Sequence, residues 1–146
     1  MKYKECEILI VEDNPNDAEL ILRSLKKNKL SKDIMVVEDG EEALNYLFRI
    51  EKTDQIEMIK NPKVIFLDLK LPKIDGLEVL KCLKSDQQTK IIPVVILTSS
   101  KEDPDIKSAY ELGANSYVVK PVKFDDFRKT LSHLEMYWMA VNENPD

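Results

Sequence analysis

Five short apolar runs, rich in β-branched residues, limit what this chain can fold into: "CEILIV" (6–11), "IMVV" (34–37), "VIFL" (64–67), "VVIL" (94–97) and "YVV" (117–119). Each has strand length and is bounded by turn or capping residues. Segments of helical length lie between them. In the first, Asn14 is the expected N-cap and Pro15 the first helical residue, with Ala18, Leu22 and Leu25 following at helical spacing. Ala43, Leu44 and Leu47 share one face of the second, and Leu77, Leu80 and Leu83 one face of the third. Gly113 is a natural helix terminator for the fourth, and "FDDFRKTLSHLEMYWMAV" reads as the longest helix. Strand–helix alternation of this kind implies an α/β fold, with parallel strands joined by right-handed crossovers and helices on both faces. The nearly continuous apolar runs agree, because a parallel sheet is covered on both sides.

A length of 146 residues suits one domain, and 43% hydrophobic with 34% charged residues supports both a core and solubility. The net charge of -5, spread along the chain, argues against a nucleic-acid surface. No apolar run approaches the roughly 20 residues that span a bilayer. The start, "MKYKECEILIVED", meets acids too soon for a signal peptide, so the expected compartment is the cytoplasm. Cys6 and Cys82 have no ligand spacing and read as reduced, buried thiols. "IEKTDQIEMIKNP" (50–62) is longer and more polar than a minimal connection, and extends the preceding helix or forms an exposed loop. The final "NENPD" reads as a flexible tail (142–146).

The polar residues that end the strands carry the chemistry. The first run ends in Glu12-Asp13, the third in Asp68, the fourth in Thr98 followed by Ser99 and Ser100, and the fifth in Lys120-Pro121; the second ends less distinctively in Glu38-Asp39. A parallel sheet gathers its carboxyl ends along one edge, where ligands bind. Three crowded carboxylates repel one another, and a hard cation such as Mg²⁺, which takes carboxylates, water and phosphate oxygens, resolves that repulsion. A lysine ammonium and a threonine hydroxyl across the site suit an anion, and the group all three would hold is phosphoryl. A carboxylate can itself be the nucleophile, giving an aspartyl phosphate. Singly, each residue is more simply a cap or a surface group; the ordered set is not.

These motifs resemble the receiver domain of two-component response regulators over about residues 6 to 133. "ILIVEDN" is similar to that family's acid-pair strand, "VIFLDLKLPKIDGLEVL" to its phosphorylation strand and loop, "PVVILTSS" to its threonine strand and "GANSYVVKP" to its lysine strand. The resemblance implies a flavodoxin-like (βα)5 three-layer sandwich with sheet order 2-1-3-4-5. It makes Asp68 the phosphoacceptor. It makes Asp13, Asp68 and the backbone carbonyl of Lys70 Mg²⁺ ligands, with Glu12 acting through water. Thr98 and Lys120 would contact phosphoryl oxygens, Lys120-Pro121 would be a cis peptide, and Thr98 with Tyr117 would form the switch. Asp75 is expected to cap the following helix rather than bind metal.

With no helix-turn-helix and no basic face, the expectation is a single-domain switch that takes phosphate from a sensor histidine kinase. The core would span about 6–133, with a helical extension over 134–141. Phe127, Leu131, Leu134, Trp138 and Val141 recur at spacings of 4, 3, 4 and 3, a stripe longer than the sheet needs. Leu134, Trp138 and Val141 are therefore expected partner contacts. The polar insertion and the Trp-bearing helix also resemble stand-alone regulators serving phytochrome-type histidine kinases, and that resemblance implies a homodimer through this end of the molecule. His133 reads as a surface residue. A phosphorelay intermediate or phosphate sink is the competing role for the same site. A metal-dependent phosphatase of haloacid-dehalogenase type needs an acid two residues after its nucleophile, where this chain has Lys70. Gly40, Gly76 and Gly113 form no phosphate-cradling loop.

Overall fold

The computed structural model describes residues 4–48 and 60–145. Five strands, β1 (Ile8–Val11), β2 (Ile34–Val37), β3 (Val64–Leu67), β4 (Val94–Thr98) and β5 (Ser116–Val119), alternate with α1 (Pro15–Asn28), α2 (Gly40–Phe48), α3 (Gly76–Lys84), α4 (Asp103–Glu111) and α5 (Phe124–Glu135). All strand pairs are parallel, in the order β2-β1-β3-β4-β5. This is the flavodoxin-like arrangement expected from the sequence. Most of the polar stretch 50–62 lies outside the described residues.

Side chains alternate across the central strands. Leu9, Val11, Ile65, Leu67, Val94 and Ile96 face a core closed by Ala43 and Leu47 of α2, Val79, Leu80 and Leu83 of α3 and Ala109 of α4. Ile8, Ile10, Val64, Phe66, Val95 and Leu97 face a second core closed by Ile21 and Leu25 of α1 and Phe127 and Leu131 of α5. The sheet is thus covered on both sides. The buried face of α1 runs through Ile21, Ser24 and Leu25, one residue round from the Leu22 suggested by spacing.

Helix ends follow their local chemistry. Asn14 Oδ1 accepts from the amides of Asn16 and Asp17, with Pro15 opening α1. Asp75 caps α3 by accepting from Glu78 N at 3.0 Å, as expected. Gly113, at φ 107, follows α4 in a conformation only glycine adopts cheaply.

The C-terminal arm departs from expectation. Regular α-helix stops at Glu135 and a π-helical segment, Met136–Val141, follows. Its wider i→i+5 bonding includes Asn142 N to Tyr137 O at 2.7 Å. Trp138, read from spacing as a dimer contact, is instead 8% exposed and part of the α1–α5 core. Leu134 is half-buried against that core, and Val141 is exposed. The physical cause is a polar anchor at the end of α5. Glu135, fully buried, accepts from Asn28 Nδ2 at 2.8 Å and Ser31 Oγ at 2.7 Å, holding the arm against the end of α1. His133 is on the surface. Cys6 is buried, but Cys82 is only partly so, with its thiol turned to Glu78.

Candidate functional site

The sheet's register sets the carboxyl-edge residues side by side, since Val11 pairs with Leu67 and Thr98 with Val119. The ladder then continues into the site itself. Glu12 N donates to Val37 O (3.0 Å), Asp68 N to Val11 O (3.1 Å) and Lys120 N to Thr98 O (2.7 Å). The functional side chains are therefore carried on backbone fixed by sheet hydrogen bonds, not on free loops.

Glu12, Asp13 and Asp68 each offer an oxygen within 4.8 Å of the others. Glu12 and Asp68 are buried and Asp13 is exposed. From β5, the Lys120 ammonium donates to Glu12 Oε1 at 2.7 Å, Asp17 Oδ2 at 2.8 Å and Asp68 Oδ2 at 3.2 Å. All three of its donors are used. Burial by itself would lower the Lys120 pKa, but hydrogen bonds to Asp17 and Glu12 and the charges of Glu12 and Asp68 raise it. Burial pushes Glu12 up to about 7; the Lys120 hydrogen bond opposes this and the Asp68 charge adds to it. Three carboxylates thus share one ammonium, and a fourth, Asp13, stands beside Glu12 and Asp68. That surplus of hard oxygen donors, one of them open to solvent, fits a divalent cation of the Mg²⁺ class.

Thr98 is fully buried at the end of β4, and its Oγ1 accepts from Ser100 N at 3.4 Å. Tyr117 is half-buried on β5, its hydroxyl donating to Ser100 O at 2.9 Å. Burial raises its pKa first, with the Asp105 and Asp68 charges adding. Lys70 is exposed two residues past Asp68, and its N–H lies 3.4 Å from Asp68 Oδ1. The Lys120–Pro121 peptide is trans, not the cis form expected. The tertiary amide leaves trans ahead by about 0.5–1 kcal/mol. The trans chain also accommodates both the Lys120 N–H bond to β4 and the ammonium's bonds to the acids.

Gly76 is required by close approach. A Cβ there would stand 2.2 Å from the Asp68 carbonyl oxygen. The start of α3 consequently presses on the backbone that carries Asp68, with Gly76 N donating to Leu69 O at 2.9 Å.

Asp17 is a site residue the sequence reading missed. Its signal was present: it is an acid in the first turn of the helix that follows the acid pair, and helical side chains lean toward the N-terminus, here back over the strand ends. A cleft of about 630 Å³ between α1 and α5 is lined by Arg23, Lys27, Phe124 and Arg128 among others and holds none of the strand-end residues.

Comparison with known proteins agrees with this geometry. Residues 8–132 match the response regulator receiver domain family. The chain is 39% identical to the probable methanogenesis regulatory protein FilR2 of Methanothrix harundinacea, covering 94% of this chain and 86% of that protein. It is 36% identical to response regulator Rcp1 of Synechocystis, covering 92% and 89%. The Mn²⁺-bound structure of Rcp1 superposes with a TM-score of 0.85 at 34% identity, covering 95% of this chain and 98% of that one. The phosphorylated cyanobacterial phytochrome response regulator RcpA superposes with a TM-score of 0.87 at 34% identity, covering 97% and 99%. Receiver domains are signalling switches of two-component systems, and binding of Mg²⁺ or Mn²⁺ at an acidic site is typical of them. With its family match over residues 8–132, its sheet order and its length of alignment with curated relatives, this chain belongs to the response regulator receiver domain family.

Proposed function

We propose that this protein is a stand-alone response regulator that accepts a phosphoryl group from a sensor histidine kinase on Asp68. The observation that carries the reading is the Lys120 ammonium held between Asp68 and Glu12, with Asp13 beside them. Mg²⁺ would be held by Asp13, Asp68 and the Lys70 backbone carbonyl, with Glu12 reaching it through water; it would supply charge neutralisation where phosphate and carboxylates meet. An Asp68 oxygen attacks phosphorus, the P–N bond to the kinase histidine breaks, and the imidazole leaves with the bond's electron pair. Lys120 and Thr98 take phosphoryl oxygens. The pull on Thr98 moves the loop after β4, and Tyr117, bonded to that loop, moves inward with it.

Acetyl phosphate or BeF₃⁻ with Mg²⁺ should label or occupy the wild type and not Asp68→Asn. Labelling that persists in the variant overturns the assignment. A phytochrome-type kinase as partner is supported by the likeness to the phytochrome response regulator RcpA, and action in the cytoplasm goes with that reading. Homodimerisation through the C-terminal region is supported by exposed Met136, Tyr137 and Val141. The competing role of relay intermediate is separated by mixing the phosphorylated protein with a histidine phosphotransfer protein: transfer onward from Asp68 favours the relay.

A further inference from the structure

Between Asp68 and α3 the chain makes a turn that its central residue does not favour. Lys73 has φ 68, in the left-handed region where glycine or asparagine is at home. Ile74 N donates back to Pro72 O at 2.8 Å, closing a strained three-residue turn around Lys73. Leu69 and Leu71 are buried in the core on either side of exposed Lys70. The backbone at Lys70 is thus set by a leucine on each side and by the turn that follows. That turn meets the end of β2, which contributes nothing to the carboxylate cluster. The Lys73 ammonium lies 3.7 Å from Asp39 Oδ2 and 3.5 Å from Glu41 Oε1. Asp39 Oδ1 accepts from Glu42 N at 2.7 Å, so one carboxylate both caps α2 and faces Lys73. Gly40 N donates to Pro72 O at 3.4 Å, and a Cβ on Gly40 would collide with the Ile74 carbonyl oxygen. The start of α2 therefore rests directly on the turn.

We propose that Asp39 and Lys73 form a clamp that keeps this turn in its strained form and so positions the Lys70 carbonyl for the divalent cation. The inference rests on the Mg²⁺ assignment given above. Strained backbone persists only where its surroundings over-determine it. Glycine would make the same turn without strain, so a lysine there costs backbone energy and supplies an ammonium, whose two partners both belong to the start of α2. An exposed ion pair is weak by itself. Here Gly40 already brings the two segments into contact and the Asp39 side chain is only 18% exposed, so the pair fixes a geometry that is close to begin with. Charge and clamp act on the cation with opposite sign. Removing an ammonium near the acidic site favours Mg²⁺ by Coulomb attraction, whereas releasing the turn disfavours it by freeing the Lys70 carbonyl. Asp39 and Lys73 are positioning residues; neither touches the cation.

The test is calorimetric Mg²⁺ affinity for the wild type, Lys73→Met, Lys73→Gly, Asp39→Asn and the Asp39→Asn/Lys73→Met double variant. Lys73→Met loses the ammonium and keeps the strain, and should bind Mg²⁺ about two- to fivefold more weakly than wild type. Lys73→Gly loses the same charge but makes the turn without strain, and should return to wild-type affinity. Asn at position 39 keeps the α2 cap and loses the ion pair, so the double variant should lose less than the sum of the two single losses. In the metal-free protein, amide exchange at Ile74 should be faster in Lys73→Met than in wild type. Met and Gly variants that bind alike, a Met variant as tight as wild type, or additive losses in the double variant overturn the clamp while the wild type still binds. A wild type that binds no Mg²⁺ overturns the metal assignment, and the clamp falls with it.

Discussion

Glu12 is held where a carboxylate is least comfortable: 2% exposed and beside Asp68, with the Lys120 ammonium as its compensation. Its folded pKa of about 7 exceeds the ordinary glutamate value of 4.5. Between those values the folded state binds more protons than the unfolded one, so this group's contribution to stability falls as pH rises through that window. A divalent cation favours the ionised form, so its binding expels a proton and tightens as pH rises through about 7. Calorimetric titration of Mg²⁺ in buffers of different ionisation enthalpy should show proton release near pH 7 in wild type, lost in Glu12→Gln. Asp17 is the Lys120 partner that neither metal nor phosphoryl group takes in the proposed assembly. Asp17→Asn should therefore slow labelling by acetyl phosphate roughly tenfold, about 1.4 kcal/mol in the barrier, with little change in melting temperature. Equal rates in the two proteins would leave Asp17 as an ordinary first-turn acid. Such pairings were hard to read in the sequence because the partners, Asp17 and Lys120, are 103 positions apart. Glu12, Asp68, Thr98 and Lys120 were legible because each ends a strand, and a parallel sheet aligns its strand ends whatever the intervening chain does.

At the scale of elements, α3 and the C-terminal arm show two different limits of pattern reading. The start of α3 was legible from Asp75, its cap, but the reason for the glycine that follows was not. A Cβ at 2.2 Å from the Asp68 carbonyl forces α3 away from β3, and overpacking of this kind costs about 1–3 kcal/mol. Gly76→Ala should lower stability by that amount in denaturant unfolding and, by shifting the backbone of Asp68, also slow its phosphorylation. The arm is the opposite case. A 3.6-residue period continued to Val141 gives one stripe, but the π-helical segment breaks that period after Glu135. Trp138 ends inside the core and Val141 outside it. Trp138→Ala is therefore expected to destabilise the monomer by about 3–5 kcal/mol, seen as a lower unfolding midpoint, and a midpoint equal to wild type would return Trp138 to the surface.

For the whole molecule, the layers separate two tasks. The face closed by α1 and α5 is tied together by Glu135, Asn28 and Ser31, and the opposite end of the sheet carries the carboxylates and Lys120. Exposed Met136, Tyr137 and Val141 lie at the end of the arm, so the proposed homodimer contact there is separable from the site. Tyr137→Ser should shift the sedimentation distribution toward monomer while leaving BeF₃⁻ affinity unchanged; the same distribution in both proteins would exclude this end as the dimer contact. Among the described residues no helix is long and apolar enough to cross a membrane.

The sequence by itself determined the five strands, their parallel pairing in an α/β sandwich and the residues at the sheet's carboxyl edge, while the strand order was implied by the family resemblance. The first three follow from short apolar runs alternating with helical periods of 3.6 and from the one-sided geometry of crossover connections. Only the tertiary structure decided that Asp17 shares the Lys120 ammonium, that Lys120–Pro121 is trans, and that Trp138 packs inward. Each of these depends on which side chain is within hydrogen-bond or packing distance once distant segments meet, and no periodicity in the chain records that.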